Sequence, residues 1–258
     1  MSFMLGSDPE LFVGSKGKVV SAIGRFGGTK DEPKAVIRKG FSIQEDNVLL
    51  EYNTPPARRA GDWLSYQMTM REYLEKEVSK QNLEILPIAS ASLSDEELKD
   101  PRAWVFGCDP DFNVWTGEMN PRPHCEDQNF RSAGGHIHVG LPKLTADEKI
   151  HLTRYLDLFI GVPLSLLDPD KDRQKLYGKA GAIRFKPYGL EYRTPSNWWT
   201  GSERRIQWIW NSVSHAYSTY RLRKVMTKDV GLMILAAIDE RQTNVASELI
   251  KAYSMELP

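Results

Sequence analysis

Apolar residues recur at helical spacing in four stretches of the chain. From about Ala60 to Lys80, Trp63, Tyr66, Met70, Leu74 and Val78 fall on one face of a helix. Thr145-Ala-Asp-Glu148 is a capping-box pattern that opens a second helix, running to about Leu158 or beyond, which Pro163 should end or kink. A third starts near Ser202, with Ile206, Ile209, Val213, Ala216 and Tyr220 on one side, and a fourth covers roughly Asn244 to Tyr253. The first third of the chain reads differently. Short apolar runs bounded by turn residues predict strands at about 4–13, 18–23, 41–43 and 47–52, with Gln44-Glu45-Asp46 joining the last two. The stretch from Ser90 to Phe130, with Pro101, Pro110, Pro121 and Pro123, reads as loop. Strands separated by helices, with hairpin-like segments, predict an α+β fold: a curved antiparallel sheet with helices packed on one face.

Composition narrows the function classes. A chain of 258 residues fits one domain, residues 1–258, whose core needs neither disulfide nor structural metal. Lys plus Arg equals Asp plus Glu at 34 each, which argues against a nucleic-acid coat or a membrane-surface protein. No stretch approaches the ~20 apolar residues of a membrane span, and the start has no basic region followed by an apolar run, so no signal peptide is expected. A cytoplasmic location with Cys108 and Cys125 reduced is the resulting expectation. His124-Cys125 lies near His136 and His138, but without a Cys-x-x-Cys pair a structural zinc site is not expected.

Three segments share one spacing. Asp8-Pro-Glu10, His136-Ile-His138 and Glu191-Tyr-Arg193 each place two polar groups two residues apart. On a strand, residues i and i+2 share a face, so three such strands in one sheet would project six polar groups together. Glu51, after the apolar run Val48-Leu49-Leu50, adds a carboxylate. Acidic groups and imidazoles crowded on a half-buried surface repel one another and lose hydration, and divalent cations remove both costs. Carboxylates with one or two histidines suit Mg²⁺ or Mn²⁺. Arg193 on the same wall suits phosphate, and Arg173, Lys175, Arg184 and Lys186 lie just upstream of Glu191, a pairing of metal and basic groups that phosphoryl transfer requires. Each segment alone has an ordinary reading: Asp8-Pro as a turn, a single core histidine, a surface strand. The flanking Gly134-Gly135 and Gly140 favour close approach of a ligand or another backbone.

Gly6-Ser-Asp-Pro-Glu-Leu-Phe12, Ala133-Gly-Gly-His-Ile-His-Val-Gly140 and Gly189-Leu-Glu-Tyr-Arg-Thr-Pro-Ser196 resemble the phage-type carboxylate–amine ligase family (amidoligases, COOH–NH2 ligase type 2) of the glutamine synthetase / glutamate–cysteine ligase superfamily. The resemblance spans roughly Leu5 to Trp199. It implies a glutamine synthetase catalytic-domain-like fold, and ATP with two Mg²⁺ or Mn²⁺ ions. It implies Asp8, Glu10, Glu51, His136 and Glu191 as metal ligands, with Asp46 a possible helper. It implies His138 facing nucleotide or substrate, and Arg193, Arg184 and Arg173 on phosphate, with Arg193, Arg184 and His138 acting in catalysis. Lys175 and Lys186 join the nucleotide-binding set. The first strand has Asp where larger relatives have Glu, so one ligand is a methylene shorter.

The reaction so implied is ATP-dependent formation of an amide or isopeptide bond through an acyl phosphate. The absence of a Gly-x4-Gly-Lys-Ser/Thr loop is consistent with nucleotide held on a metal-lined sheet. Substrates would be small-molecule or peptide carboxylates and amines, with nucleic acid or modified nucleotides open, no membrane partner, and host cytoplasm as the location for a phage-encoded protein. Two alternatives stand beside it: a metal-dependent hydrolase on the same site, and a non-catalytic binding module of the same fold.

Overall fold

The longest strand, β1 (Met4–Ser15), carries the first acidic pair and organises the sheet. The protein is described by a computed structural model covering residues 3–105, 110–121, 125–222 and 226–258. After β1 come β2 (Lys18–Val20), β3 (Lys34–Ala35), β4 (Ser42–Asp46), β5 (Leu49–Asn53), α1 (Ala60–Ser79), β6 (Glu84–Leu86), β7 (Ser90–Ser92), β8 (Phe112–Asn113), β9 (Glu118–Met119), β10 (Phe130–Ser132) and β11 (Gly135–Gly140). The chain continues through α2 (Ala146–Leu156), α3 (Val162–Leu167), β12 (Ala182–Lys186), β13 (Gly189–Tyr192), α4 (Glu203–Arg221), α5 (Lys228–Ile238) and α6 (Thr243–Ala252). The main sheet runs β3-β4-β5-β1-β11-β13-β12-β8-β9, with β2 and β6 also paired to β1, while β7 and β10 form a separate pair. Its pairings are antiparallel, as the alternation of elements predicts.

Pro9 does not break β1. The β1–β11 ladder runs from Met4↔Gly140 to Pro9↔Gly135, and the β1–β5 ladder begins only at Glu10↔Glu51. Pro9 therefore sits where the second ladder has not yet started, a position at which a missing N–H costs little. Alternate residues of these strands face opposite ways. Leu5, Leu11, Leu50, Ile137, Val139, Leu190 and Tyr192 are buried in the apolar clusters under the helices. Trp63 of α1 is fully buried, stacks on Trp199 at 5.5 Å between ring centroids, and donates its indole N–H to the Ile206 carbonyl at 2.8 Å. Gln67, one turn further along α1, satisfies the polar atoms trapped in this layer by bonding Tyr52, Ser7 and Thr54.

Three sequence expectations change. Gln44-Glu45-Asp46 is not a connection but the second half of β4. The turn falls at Asn47, which takes the left-handed conformation at φ 54°, so Gln44 and Asp46 gain a strand's period of two. The α2 helix also does not stop at Pro163. It widens to a π-turn over Asp157–Gly161, with Val162 N–H bonded to the Asp157 carbonyl, and resumes as α3 with Pro163 in its first turn, where no N–H partner is needed. The continuous run Ala146–Leu167 is long and apolar enough to cross a membrane, contrary to the sequence expectation, but most of it is buried inside the protein as a core helix.

Candidate active site

The face of the sheet opposite the helices gathers the polar groups, and strand register explains how. Asp8 lies across from His136, Gly6 across from His138, and Glu10 across from Glu51. Glu51 in turn faces Gln44, while Glu191 sits between His138 on one side and Arg184 on the other. Two clusters result. In one, single ligand atoms of Asp8, His136 and Glu191 lie within 4.8 Å of one another; in the other, those of Glu10, Asp46 and Glu51 do the same. Asp8 and Glu10, two residues apart on β1, fall one in each.

The clusters differ in charge. Around the first, Lys186 Nζ is 2.8 Å and Arg184 Nη1 3.5 Å from Glu191, and Arg193 donates to the same carboxylate. His138 Nε2 lies 3.0 Å and His136 Nδ1 3.4 Å from Asp8 Oδ1. Burial pushes the Asp8 carboxyl up, but His138 and His136 outweigh it and hold its pKa well below the usual range. Glu191 follows the same pattern: burial raises it, His136 and Arg193 bring it below its ordinary value despite the opposing charge of Asp8. In the second cluster the compensation falls short: burial outweighs the downward pull of His136 and Arg193 on the Glu10 pKa. Glu10 accepts the Gly134 N–H at 2.6 Å, yet burial and Asp46 raise its pKa. Glu51 is raised further by burial, Asp8, Glu10 and Asp46, with only Gln44 opposing.

These residues fit divalent cations. Two buried carboxylates and a half-buried one sharing few donors repel one another, a cost that a cation removes, and an all-oxygen set suits Mg²⁺ or Mn²⁺. In the first cluster Asp8 Oδ1 and His138 Nε2 are both buried without a properly directed hydrogen bond, although they are close. Gly134 makes room for this arrangement, since a Cβ there would lie 2.3 Å from His136 Nε2. A cavity of about 50 Å³ opens beside Glu10, lined among others by Asp46, Ser132, His136, Arg173 and Arg193. A much larger groove, about 820 Å³, lies in the helical layer against α4 and residues 254–258 and contains none of these groups, so its size does not mark the chemistry.

Not every residue expected here arrives. Arg173 lines the cavity, but its guanidinium donates to the carbonyls of Ala133, Thr194 and Arg193, tying the loop before β11 to the end of β13. Its donors go to main chain rather than to an incoming phosphate. Lys175 is exposed, pairs with Asp172 at 2.8 Å and sits over the Phe130 ring, so the structure does not bring it to the site. Its place three residues after Asp172 in a helical turn accounts for that pairing. Cys108 and His124 lie outside the described residues, and Cys125 is a free, half-buried thiol. Three participants carried no sequence signal strong enough to select them. Gln44 became visible only with the strand assignment of β4. Tyr188, in the turn before β13, lies 2.6 Å from His138 Nδ1 through its hydroxyl and stacks on that ring. Asp111, in the stretch read as loop, bonds Arg193 at 3.2 Å.

His136, His138, Arg184 and Glu191 thus lie on three adjacent strands, with Arg193 one residue past the end of β13, and residues 126–227, which contain all five, match a family model. The family is phage phiEco32-like COOH.NH2 ligase-type 2. This COOH.NH2 ligase match covers the segment holding two of the three motifs on which the resemblance was read; Asp8, Glu10 and Glu51 lie before it. No curated protein matches the chain. Among solved structures it is similar to a ligand-free GmaS, at TM-score 0.48 and 12% identity over 98% of this chain and 67% of that one. A bifunctional glutathione synthetase from Pasteurella multocida gives 0.42 and 11% over 98% and 49%, and a Plasmodium falciparum glutamine synthetase 0.45 and 9% over 86% and 52%. The chain spans about half to two thirds of the length of these solved chains. Likenesses this loose say nothing of what this chain binds.

Proposed function

We propose that the protein is an ATP-dependent carboxylate–amine ligase that activates its carboxylate as an acyl phosphate. The observation that carries this reading is the placement of two cation-competent clusters side by side, each with one carboxylate from β1, and of three basic side chains, Arg184, Lys186 and Arg193, converging on the Glu191 carboxylate of one of them. Asp8, His136 and Glu191 would hold one divalent ion and Glu10, Asp46 and Glu51 the other. Bound there, the ions would neutralise phosphate charge and orient the transferred group. Glu191 would then no longer need its basic partners. Arg184 and Lys186 would turn to the nucleotide phosphates, and Arg193 would hold the γ-phosphate as it passes to the substrate carboxylate, stabilising a loose transition state by position and charge. His138, oriented by Tyr188, would face the nucleotide. Attack by an amine on the acyl phosphate would release phosphate and leave an amide.

This basic set favours the ligase over a metal-dependent hydrolase acting on neutral amides, which has less need of three cations beside the metals. The test is ADP release in a screen of carboxylate and amine pairs with Mg²⁺ or Mn²⁺. Release that requires both substrates and is matched by amide product supports the ligase. Metal-dependent hydrolysis of amides without ATP would refute it.

A further inference from the structure

We propose that Asp111, held by Asn120, is a positioning residue that keeps Arg193 at work when Glu191 changes partner; this rests on the metal-binding reading above. Arg193 is almost fully buried and has two carboxylates among its partners. Its Nη1 side touches Glu191 and lies 3.4 Å from His136 Nδ1, while Nε donates to Asp111 Oδ2 at 3.2 Å. The two partners are not equivalent. Glu191 belongs to a cluster that can take a cation, and a cation on its oxygen removes the acceptor that Arg193 now uses. Asp111 belongs to neither cluster.

Asp111 is built to stay where it is. Its second oxygen accepts the Asn120 side-chain amide at 2.7 Å, and its carbonyl accepts the Asn120 N–H at 2.7 Å. Asn113 donates across the same hairpin to Asn120 at 3.2 Å. The hairpin, β8 to β9 at the edge of the sheet, is pinned from below by Trp115. That indole donates to the buried Asp157 at 2.6 Å and fills space left by two glycines: a Cβ on Gly181 or Gly231 would lie 2.6 or 2.9 Å from its ring. The Trp115 backbone N–H donates to Asn113, Asn113 to Asn120 and Asn120 to Asp111, so each bond orients the next group, as outer-shell partners orient the ligands of a metal. Asp111 is the permanent anchor of Arg193 and Glu191 the exchangeable one. Without the anchor, the guanidinium leans more heavily on Glu191 and competes with an incoming cation for that carboxylate.

The test is Mn²⁺ binding to the whole protein by calorimetry, alone and in an Arg193→Gln background. Asp111→Ala is expected to weaken the first-cluster Mn²⁺ site about tenfold, the lower end of the loss usual for outer-shell partners. In the Arg193→Gln background the same substitution should change that affinity less than twofold, because there is no guanidinium left to release. A loss of equal size in both backgrounds would mean that only the charge of Asp111 matters, and would overturn the proposal. So would an unchanged affinity accompanied only by a lower melting temperature. If Asp111→Ala folds poorly, Asn120→Ala leaves the carboxylate in place but unheld and should give a smaller loss with the same dependence on Arg193; no loss there, or one that survives Arg193→Gln, overturns the proposal too. Wild-type protein that binds no Mn²⁺ would sink the metal reading itself, whereas wild-type binding with indifferent variants would sink only the role of Asp111.

Discussion

Asp157 makes stability depend on pH in a way that can be worked through. It lies in the π-turn, fully buried, where Oδ2 accepts the Trp115 indole N–H at 2.6 Å and Oδ1 the Tyr192 hydroxyl at 2.7 Å, with Thr194 at 3.4 Å and Asp239 adding a like charge nearby. Burial dominates these bonds and lifts its pKa from 3.8 to about 7. A carboxyl raised in the folded state binds a proton that the unfolded chain has already released, so it lowers stability as pH rises from the unfolded value to the folded one. The full loss is about 4 kcal/mol, from a shift of roughly three units at ~1.4 kcal/mol each. Between pH 5 and pH 8 the linkage relation leaves about 2.5 kcal/mol of it, since part is already lost by pH 5. Asp157→Asn keeps the shape and removes the proton. Urea unfolding of both proteins at pH 5, 6, 7 and 8 should show wild type falling relative to the variant by about that amount, whatever constant offset the amide introduces. Parallel curves for the two proteins would mean that Asp157 keeps one protonation state throughout and that the burial argument is wrong.

The remaining predictions are more local. Arg193→Lys keeps the charge but loses the planar fork, so it should bind ATP almost normally and turn over ~10²–10³-fold more slowly; near-normal kcat at saturating metal would remove Arg193 from the reaction. Gly134→Ala puts a methyl 2.3 Å from His136 Nε2 and should displace the imidazole. Mn²⁺ affinity is expected to fall at least about tenfold with far-ultraviolet circular dichroism unchanged, and wild-type affinity would show that His136 is not needed there. Trp63→Ala empties a fully buried site and removes the indole bond to the Ile206 carbonyl; it should cost ~3–5 kcal/mol in chemical denaturation, and a cost below about 1 kcal/mol would show that the layer between α1 and α4 repacks.

Much of the site was legible because a strand repeats every two residues. Asp8/Glu10 and His136/His138 declare their shared face from spacing alone, and β1 and β11 proved to be neighbours in register. What stayed hidden depended on pairing or on turns. Asp46 and Gln44 were read as a connection because the polar run looked like a loop, whereas the left-handed Asn47 places the turn one residue later. Asp111 reaches Arg193 from 82 residues away, from the position just before a two-residue strand that no periodicity can reveal. Lys175 failed in the opposite direction: nearness in sequence to Glu191 suggested a shared site, but its side chain answers to Asp172 in its own turn. The α5 helix was not read because Val230 to Ile238 is apolar almost throughout, with Gly231 within it, and shows no helical stripe.

The length of β1 gives the site a fixed ruler. Both clusters take one carboxylate from the same stiff strand, so the distance between them is set by two residues of extended backbone, about 7 Å from Asp8 to Glu10. Side-chain substitutions at either end can retune a cluster without moving the other. Insertion or deletion of a single residue between them cannot, because it would turn one carboxylate into the apolar layer beneath the sheet while leaving its former partners behind. Variation in this protein therefore has a direction: side chains of either half can be exchanged in place, but the spacing between the halves is held by the backbone and is changed only by rebuilding the strand.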